Sequence, residues 1–176
     1  MKQTLIALVE DKPGVLNRVA SLFRRRNYNI ESLAVGHSEI PGVSRMTIVT
    51  DEEEHLRRSV IRASLYKMIN VIDVLDVTDM PCVIRETALV KVQAGATQRG
   101  QIMDVTEMYR ARIVDVGTET LIVEVTGESE KIESLIGVLE PFTILEIMRT
   151  GKIAMSRGMV TPRNGMAKTG STNGKK

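Results

Sequence analysis

The sequence predicts an α+β protein built from two successive βαββαβ modules. Three observations carry this reading. Segments with strand and helix periodicity alternate in the order βαββαβ through residues 1–78, and the same order returns in residues 87–159, a repeat of about 80 residues. No stretch approaches the roughly 18 to 20 apolar residues that a membrane span needs. With 176 residues, of which 43% are hydrophobic, the chain can bury two small cores.

The first module opens with a short apolar run, Thr4 to Glu10, read as a buried strand. Val15, Leu16, Val19, Leu22 and Phe23 then recur at helical spacing, and Arg24, Arg25 and Arg26 complement the negative end of that helix, with a docking patch as the other reading of the triple Arg. Asn27 suits a left-handed stop. "NIESLAVGHS" and "SRMTIVTD" are strands joined by the Pro-Gly turn "EIPGV", with Met46 and Ile48 on one face. The stretch "EEEHLRRSVIRASLYKMIN" starts with acids and carries Ile61, Leu65, Met68 and Ile69 as an amphipathic stripe; "VIDVLDV" returns as a strand.

The joint is 79–86, "DMPCVIRE". Beyond it, Ala88, Val90, Val92 and Ala94 alternate on one strand face, and Ile102, Val105, Met108 and Tyr109 recur at helical spacing. "ARIVDVG" and "TLIVEVTG" form a hairpin around Gly117 to Thr120. Ile132, Leu135, Ile136 and Leu139 mark a second helix, and "TILEIMRTG" closes the module as a strand. Residues 160–176 are poor in bulky apolar groups and rich in Gly, Ser, Thr and Lys, the composition of a disordered tail. Each module should be an antiparallel four-stranded sheet with two helices on one face and the other face uncovered. Exposed edge strands on such small modules predict association, at least as a dimer.

Composition narrows the function. The net charge of +2 comes largely from the last residues, and aromatics are 3% with no Trp, which argues against nucleic acid as a partner. A single cysteine, Cys82, excludes an internal disulfide, and two histidines give no zinc-site spacing. A reducing cytoplasm is the expected location. Glu10 and Asp11 end the N-terminal apolar run before a signal-peptide core could form. No nucleophile has a general base at recognisable spacing, no Gly-rich phosphate loop carries its Lys, and His37 and His55 read as surface residues. An enzyme is not expected.

The turn in "EDKPGVLNRV" offers a different chemistry. A helix N-terminus presents unpaired N–H groups and a positive dipole end, and Gly14 lets a ligand approach the backbone. Asp11 can accept from an ammonium, and Asn29 at the next strand start supplies a donor and an acceptor. Carboxylate, ammonium and a short apolar side chain describe an amino acid. The residues alone leave a plainer alternative open, in which Asp11 caps the helix and Gly14 relieves a turn.

"VEDKPGVLNRVASLF", "NYNIESLAVG" and "SRMTIV" resemble the N-terminal ACT domain of the acetolactate synthase (acetohydroxyacid synthase) small regulatory subunit. "ETALVKVQA" and "RTGKIAMSRG" resemble its C-terminal half, so the likeness spans roughly residues 2 to 160. It implies two ferredoxin-like modules and a chain with no catalytic centre. Such a chain activates a separate large catalytic subunit and confers feedback inhibition by a branched-chain amino acid, usually valine, in valine, leucine and isoleucine biosynthesis.

The resemblance places thiamine diphosphate, FAD and magnesium on the catalytic subunit and no cofactor on this chain. The effector is expected between two ACT domains, with Asp11, Gly14, Val15 and Leu16 of one chain facing Asn29 and Ile30 of the other. Members of the family often carry Asn where this sequence has Asp11, and an Asp both strengthens an ammonium contact and repels a nearby carboxylate. A free-standing ACT sensor of a different enzyme or a transcription factor would resemble the first module, but would give the second no reason to match. A metabolic enzyme on the same fold would need a reactive constellation.

Overall fold

A computed structural model of the chain describes residues 2–52 and 54–162. The chain divides into two units, Met1–Val83 together with the segment from Lys152 onward, and Ile84–Gly151. Of the expected tail, residues 163–176 lie outside the described residues.

The first unit contains β1 (Gln3–Glu10), α1 (Val15–Arg25), β2 (Ile30–His37), β3 (Val43–Thr50), α2 (His55–Tyr66) and β4 (Val71–Asp76). Its sheet order is β2-β3-β1-β4, with β1 antiparallel to β3 and β4, and β2 antiparallel to β3. Hence β1 and β2 run in the same direction. Leu5, Ala7, Val9, Met46, Ile48 and Val74 on one sheet face pack against Val15, Val19 and Phe23 of α1 and Ile61 and Leu65 of α2. The α1 helix stops where expected, with Asn27 at φ 55° and the Tyr28 N–H returned to the Phe23 carbonyl.

Two expectations for this unit need correction. Ile69 does not belong to the α2 stripe: α2 ends at Tyr66, and Ile69 is 89% exposed. Nor is the second sheet face uncovered, because β1 is buried from Gln3 to Val9 without alternation. Ile6, Leu8, Thr47 and Val49 occupy that face, and it also presents Ser32 and Arg45 to the returning chain. The Lys152 N–H donates to Ser32 Oγ at 2.7 Å, Arg45 donates to the Ala154 carbonyl at 2.9 Å, and Ala154 is buried. Burial pulls the Arg45 guanidinium down from its ordinary value, with Glu39 opposing. This returning strand, β9 (Ile153–Ser156), pairs with β5 (Cys82–Gln93), whose first two residues fall in the same unit. The joint expected over 79–86 is therefore already strand from Cys82.

The second unit contributes the rest of β5, then α3 (Arg99–Met108), β6 (Arg112–Val116), β7 (Thr120–Gly127), α4 (Ser129–Leu139) and β8 (Ile144–Arg149), in the order β6-β7-β5-β8. Ala88, Val90, Val92 and Ala94 are fully buried with Ile102, Ile132, Leu135 and Leu139. On this sheet the opposite face stays open at Leu89 and Met148, which are cross-strand partners. Met108 is 79% exposed, against expectation; beside Ile102 the buried residue on that helix is Thr106, whose hydroxyl returns to the Ile102 carbonyl at 2.7 Å.

One carboxylate of this unit is inside. Glu86 is 5% exposed and accepts from Arg149, whose other nitrogen pairs with the exposed Glu133. The two carboxylates, Glu133 foremost, hold the Arg149 guanidinium above its ordinary value. Replacing Arg149 with Met would leave the buried Glu86 side chain without its partner. Urea unfolding should show a loss near or below the lower end of the ~3–5 kcal/mol range for breaking a buried pair, with Glu133→Gln costing less than ~1 kcal/mol.

Candidate functional site

The turn after β1 is fastened on both sides. The Asp11 N–H donates to the Gly42 carbonyl at 2.9 Å and the Lys12 N–H to the Glu10 carbonyl at 3.0 Å. Gly14, at φ 83°, is the residue before α1, and the helix ladder begins with the Arg18 N–H on its carbonyl at 3.0 Å. A positive φ of this size favours glycine. No side chain caps the helix, so the N–H groups of Leu16 and Asn17 face outward from its positive end. A Cβ placed on Gly14 would meet nothing within 4 Å, so the space in front of the helix is open.

Asp11 is not the cap that one reading of the turn allowed. One of its carboxylate oxygens accepts from Ser44 Oγ at 3.2 Å, and the other lies 3.4 Å from His37 Nδ1. Both partners come from neighbouring strand ends: His37 closes β2 and pairs in register with Ser44 on β3. A polar chain then ties the turn to the loop before β4. Arg18 donates to Asn70 Oδ1 at 2.8 Å, Asn70 Nδ2 donates to Glu10 Oε2 at 2.6 Å, and Lys12 pairs with Glu10 at 3.2 Å. The Asn70 hydrogen bond, seconded by Lys12, holds the Glu10 carboxyl below its ordinary value, with desolvation opposing.

The other sequence-predicted residues are distributed unevenly. Leu16 is 45% exposed beside the open helix end, whereas Val15 is buried and its side chain serves the core. Asn29 is exposed with no side-chain partner among the described residues, and Ile30 packs at the core margin. The structure does not bring the two groups together within one chain. Ile30 is level with Thr50 and Glu10 with Val43, seven residues apart on β3 and so about 23 Å along the sheet. That exceeds the span of any single amino acid.

Sequence reasoning missed Ser44, His37 and Asn70 as neighbours of the turn, because each reaches it through strand pairing or a loop and none carries a local signal. A separate recess of about 550 Å³ lies between α2 and the end of β4, lined by Arg58, Arg62, Tyr66, Asp76 and Asp79 among others. It is remote from the turn and mixes both signs of charge, with Arg58 and Asp79 3.7 Å apart.

This βαββαβ unit, a four-stranded antiparallel sheet with two helices and an open helix end after its first strand, has the ferredoxin-like form. Residues 5–73 match the family described as AHAS small subunit-like ACT domain, and residues 85–158 match the small subunit of acetolactate synthase. The acetolactate synthase small subunit of Mycolicibacterium smegmatis is 51% identical over 88% of this chain and 91% of its own length. That of Bacillus subtilis is 45% identical over 90% of this chain and 92% of its own. The crystal structure of the small subunit from Thermotoga maritima aligns with a TM-score of 0.83 at 37% identity, covering 91% of this chain and 99% of that one. The chain belongs to the acetolactate synthase small subunit family. Among the described residues no helix is long and apolar enough to cross a membrane.

The polar chain around the turn is open to measurement. Asn70→Ala removes the leading cause of the lowered Glu10 value, so carboxyl-carbon NMR titration should find Glu10 moved up toward 4.5. Glu10 contributes stability above its unfolded-state value and loses it as pH falls through the folded one. The variant should accordingly lose less stability than the parent on acidification through that window.

Proposed function

We propose that this chain is the regulatory subunit of an acetolactate synthase: it activates a thiamine-diphosphate-dependent catalytic subunit and makes it sensitive to valine. Membership of the family is the observation that supports this most directly, with half the residues identical to a small subunit over most of the chain. Thiamine diphosphate, FAD and magnesium are assigned to the catalytic subunit. The effector is assigned to the β1–α1 turn of one copy and the β2 start of a second.

The placement of the two half-sites favours this division. β2 is an edge strand, and β1 and β2 are parallel. If the free edge of β2 pairs antiparallel with its own copy, the start of one β2 lies at the end of the other. Asn29 and Ile30 of a second copy then reach the end of the sheet where Asp11 and Gly14 stand. The effector carboxylate meets the open N–H groups of α1, its ammonium meets Asp11, and its side chain meets Leu16 and Ile30. Burying an isopropyl group supplies about 1.5–3 kcal/mol. Charge-assisted bonds supply the remainder of the roughly 5.5 kcal/mol that binding near 0.1 mM requires.

The chain should sediment as a dimer or larger at micromolar concentration with valine present; monomer alone would refute the divided site. Gly14→Asp puts a carboxylate in front of the helix end and strains a backbone at φ 83°. With reconstituted catalytic subunit, acetolactate formation should still be stimulated by this variant while inhibition across a valine titration is lost. Asn29→Ala should weaken inhibition to a smaller degree. Unchanged valine binding and inhibition in Gly14→Asp would remove the site assignment.

A further inference from the structure

Asp11 stands at the end of the sheet's central strand β1, and an imidazole lies beside its carboxylate. Ser44 Oγ holds one carboxylate oxygen at 3.2 Å, and His37 Nδ1 lies 3.4 Å from the other. His37 is 87% exposed, on the free edge strand, at the end of the sheet that carries the open start of α1. The remaining charges at this end have other engagements. Glu10 is bonded to Asn70 and Lys12, Arg18 is bonded to Asn70, and Arg45 is tied to the Ala154 carbonyl in the field of Glu39. Asp11 is thus the carboxylate on offer to a ligand ammonium, and His37 is the cation, when protonated, that contends for it.

We propose that His37 is a positioning residue of the effector site: neutral, it orients the Asp11 carboxylate and leaves it to the effector's ammonium; protonated, it takes the carboxylate as its own ion partner and weakens effector binding. The proposal rests on the amino-acid site assigned above and adds to it a residue and a direction of pH dependence. Imidazoles change charge between about pH 5 and 8, whereas both charges of a free amino acid are constant over that interval. The chain's affinity for its effector therefore falls as pH falls.

The test is calorimetric titration of valine into the full chain at pH 8 and pH 6, for the parent, His37→Gln, Asp11→Asn and the double variant. The parent should bind about three- to tenfold more weakly at pH 6, the size expected when one unit charge near the ammonium is neutralised at a partly solvated site. His37→Gln keeps a donor without a charge, so its affinity should match the parent's at pH 8 and hold at pH 6. Asp11→Asn should be weaker at pH 8 and flat with pH, and adding His37→Gln to it should change nothing further. A parent-like pH profile in His37→Gln, or an equal effect of His37→Gln with and without Asp11, overturns the role of His37 while leaving the site in place. Absence of valine binding by the parent at both pH values overturns the site itself, and this proposal with it.

Discussion

Because β1 and β2 run in the same direction on either side of β3, the end of one and the start of the other lie at opposite ends of a single sheet. The crossover through α1 imposes this, since a strand, helix and parallel strand must return the chain to the starting end before the second strand begins. Every property argued for the proposed effector site depends on it. The open helix end follows β1, Asn29, without a side-chain partner among the described residues, precedes β2, and about 23 Å of sheet separates them. In the proposed site one copy therefore carries two half-sites, each incomplete. Under that proposal an amino acid that requires both halves would act at the same time as a ligand and as a link between copies.

The periodic parts of the fold were legible because burial imposes a period on any surface it covers. Ala88, Val90, Val92 and Ala94 read as one strand face and are one face. The readings that failed did so where periodicity ran past the end of an element or met a polar competitor. Ile69 continues the α2 stripe in sequence, yet α2 has already stopped at Tyr66. Met108 has the right spacing on α3, but Thr106 satisfies its hydroxyl within the helix and is buried alongside Ile102 instead. The unbroken burial of β1 was visible as an apolar run; that the chain's return from Lys152 lies against the same face was not, because it rests on contacts more than a hundred residues apart.

The turn itself was half legible. A glycine before an apolar-periodic helix announces an open helix end, and Gly14 takes the positive φ that this needs. The surroundings of Asp11 were not announced. Ser44 and His37 are assembled by strand register, and Asn70 is brought to Glu10 by the loop before β4. Three separate chain segments thus converge on Glu10 and the four-residue turn after it, whose own sequence names none of them. The turn is consequently held by its neighbours' positions more than by its own conformational preferences, Gly14 excepted.

The segment that returns over the first sheet is fastened by an uncommon division of labour. Ser32 accepts from a backbone N–H and Arg45 donates to a backbone carbonyl, so both bonds engage the main chain of residues 152 and 154 and neither engages a side chain. Any residue except proline could supply the N–H at 152, and any residue at all could supply the carbonyl at 154. The chemical demand of this latch falls on the two residues of the sheet. Between Lys152 and Ser156 the strap is thereby released to drift in composition, save at Ala154, where burial restricts size.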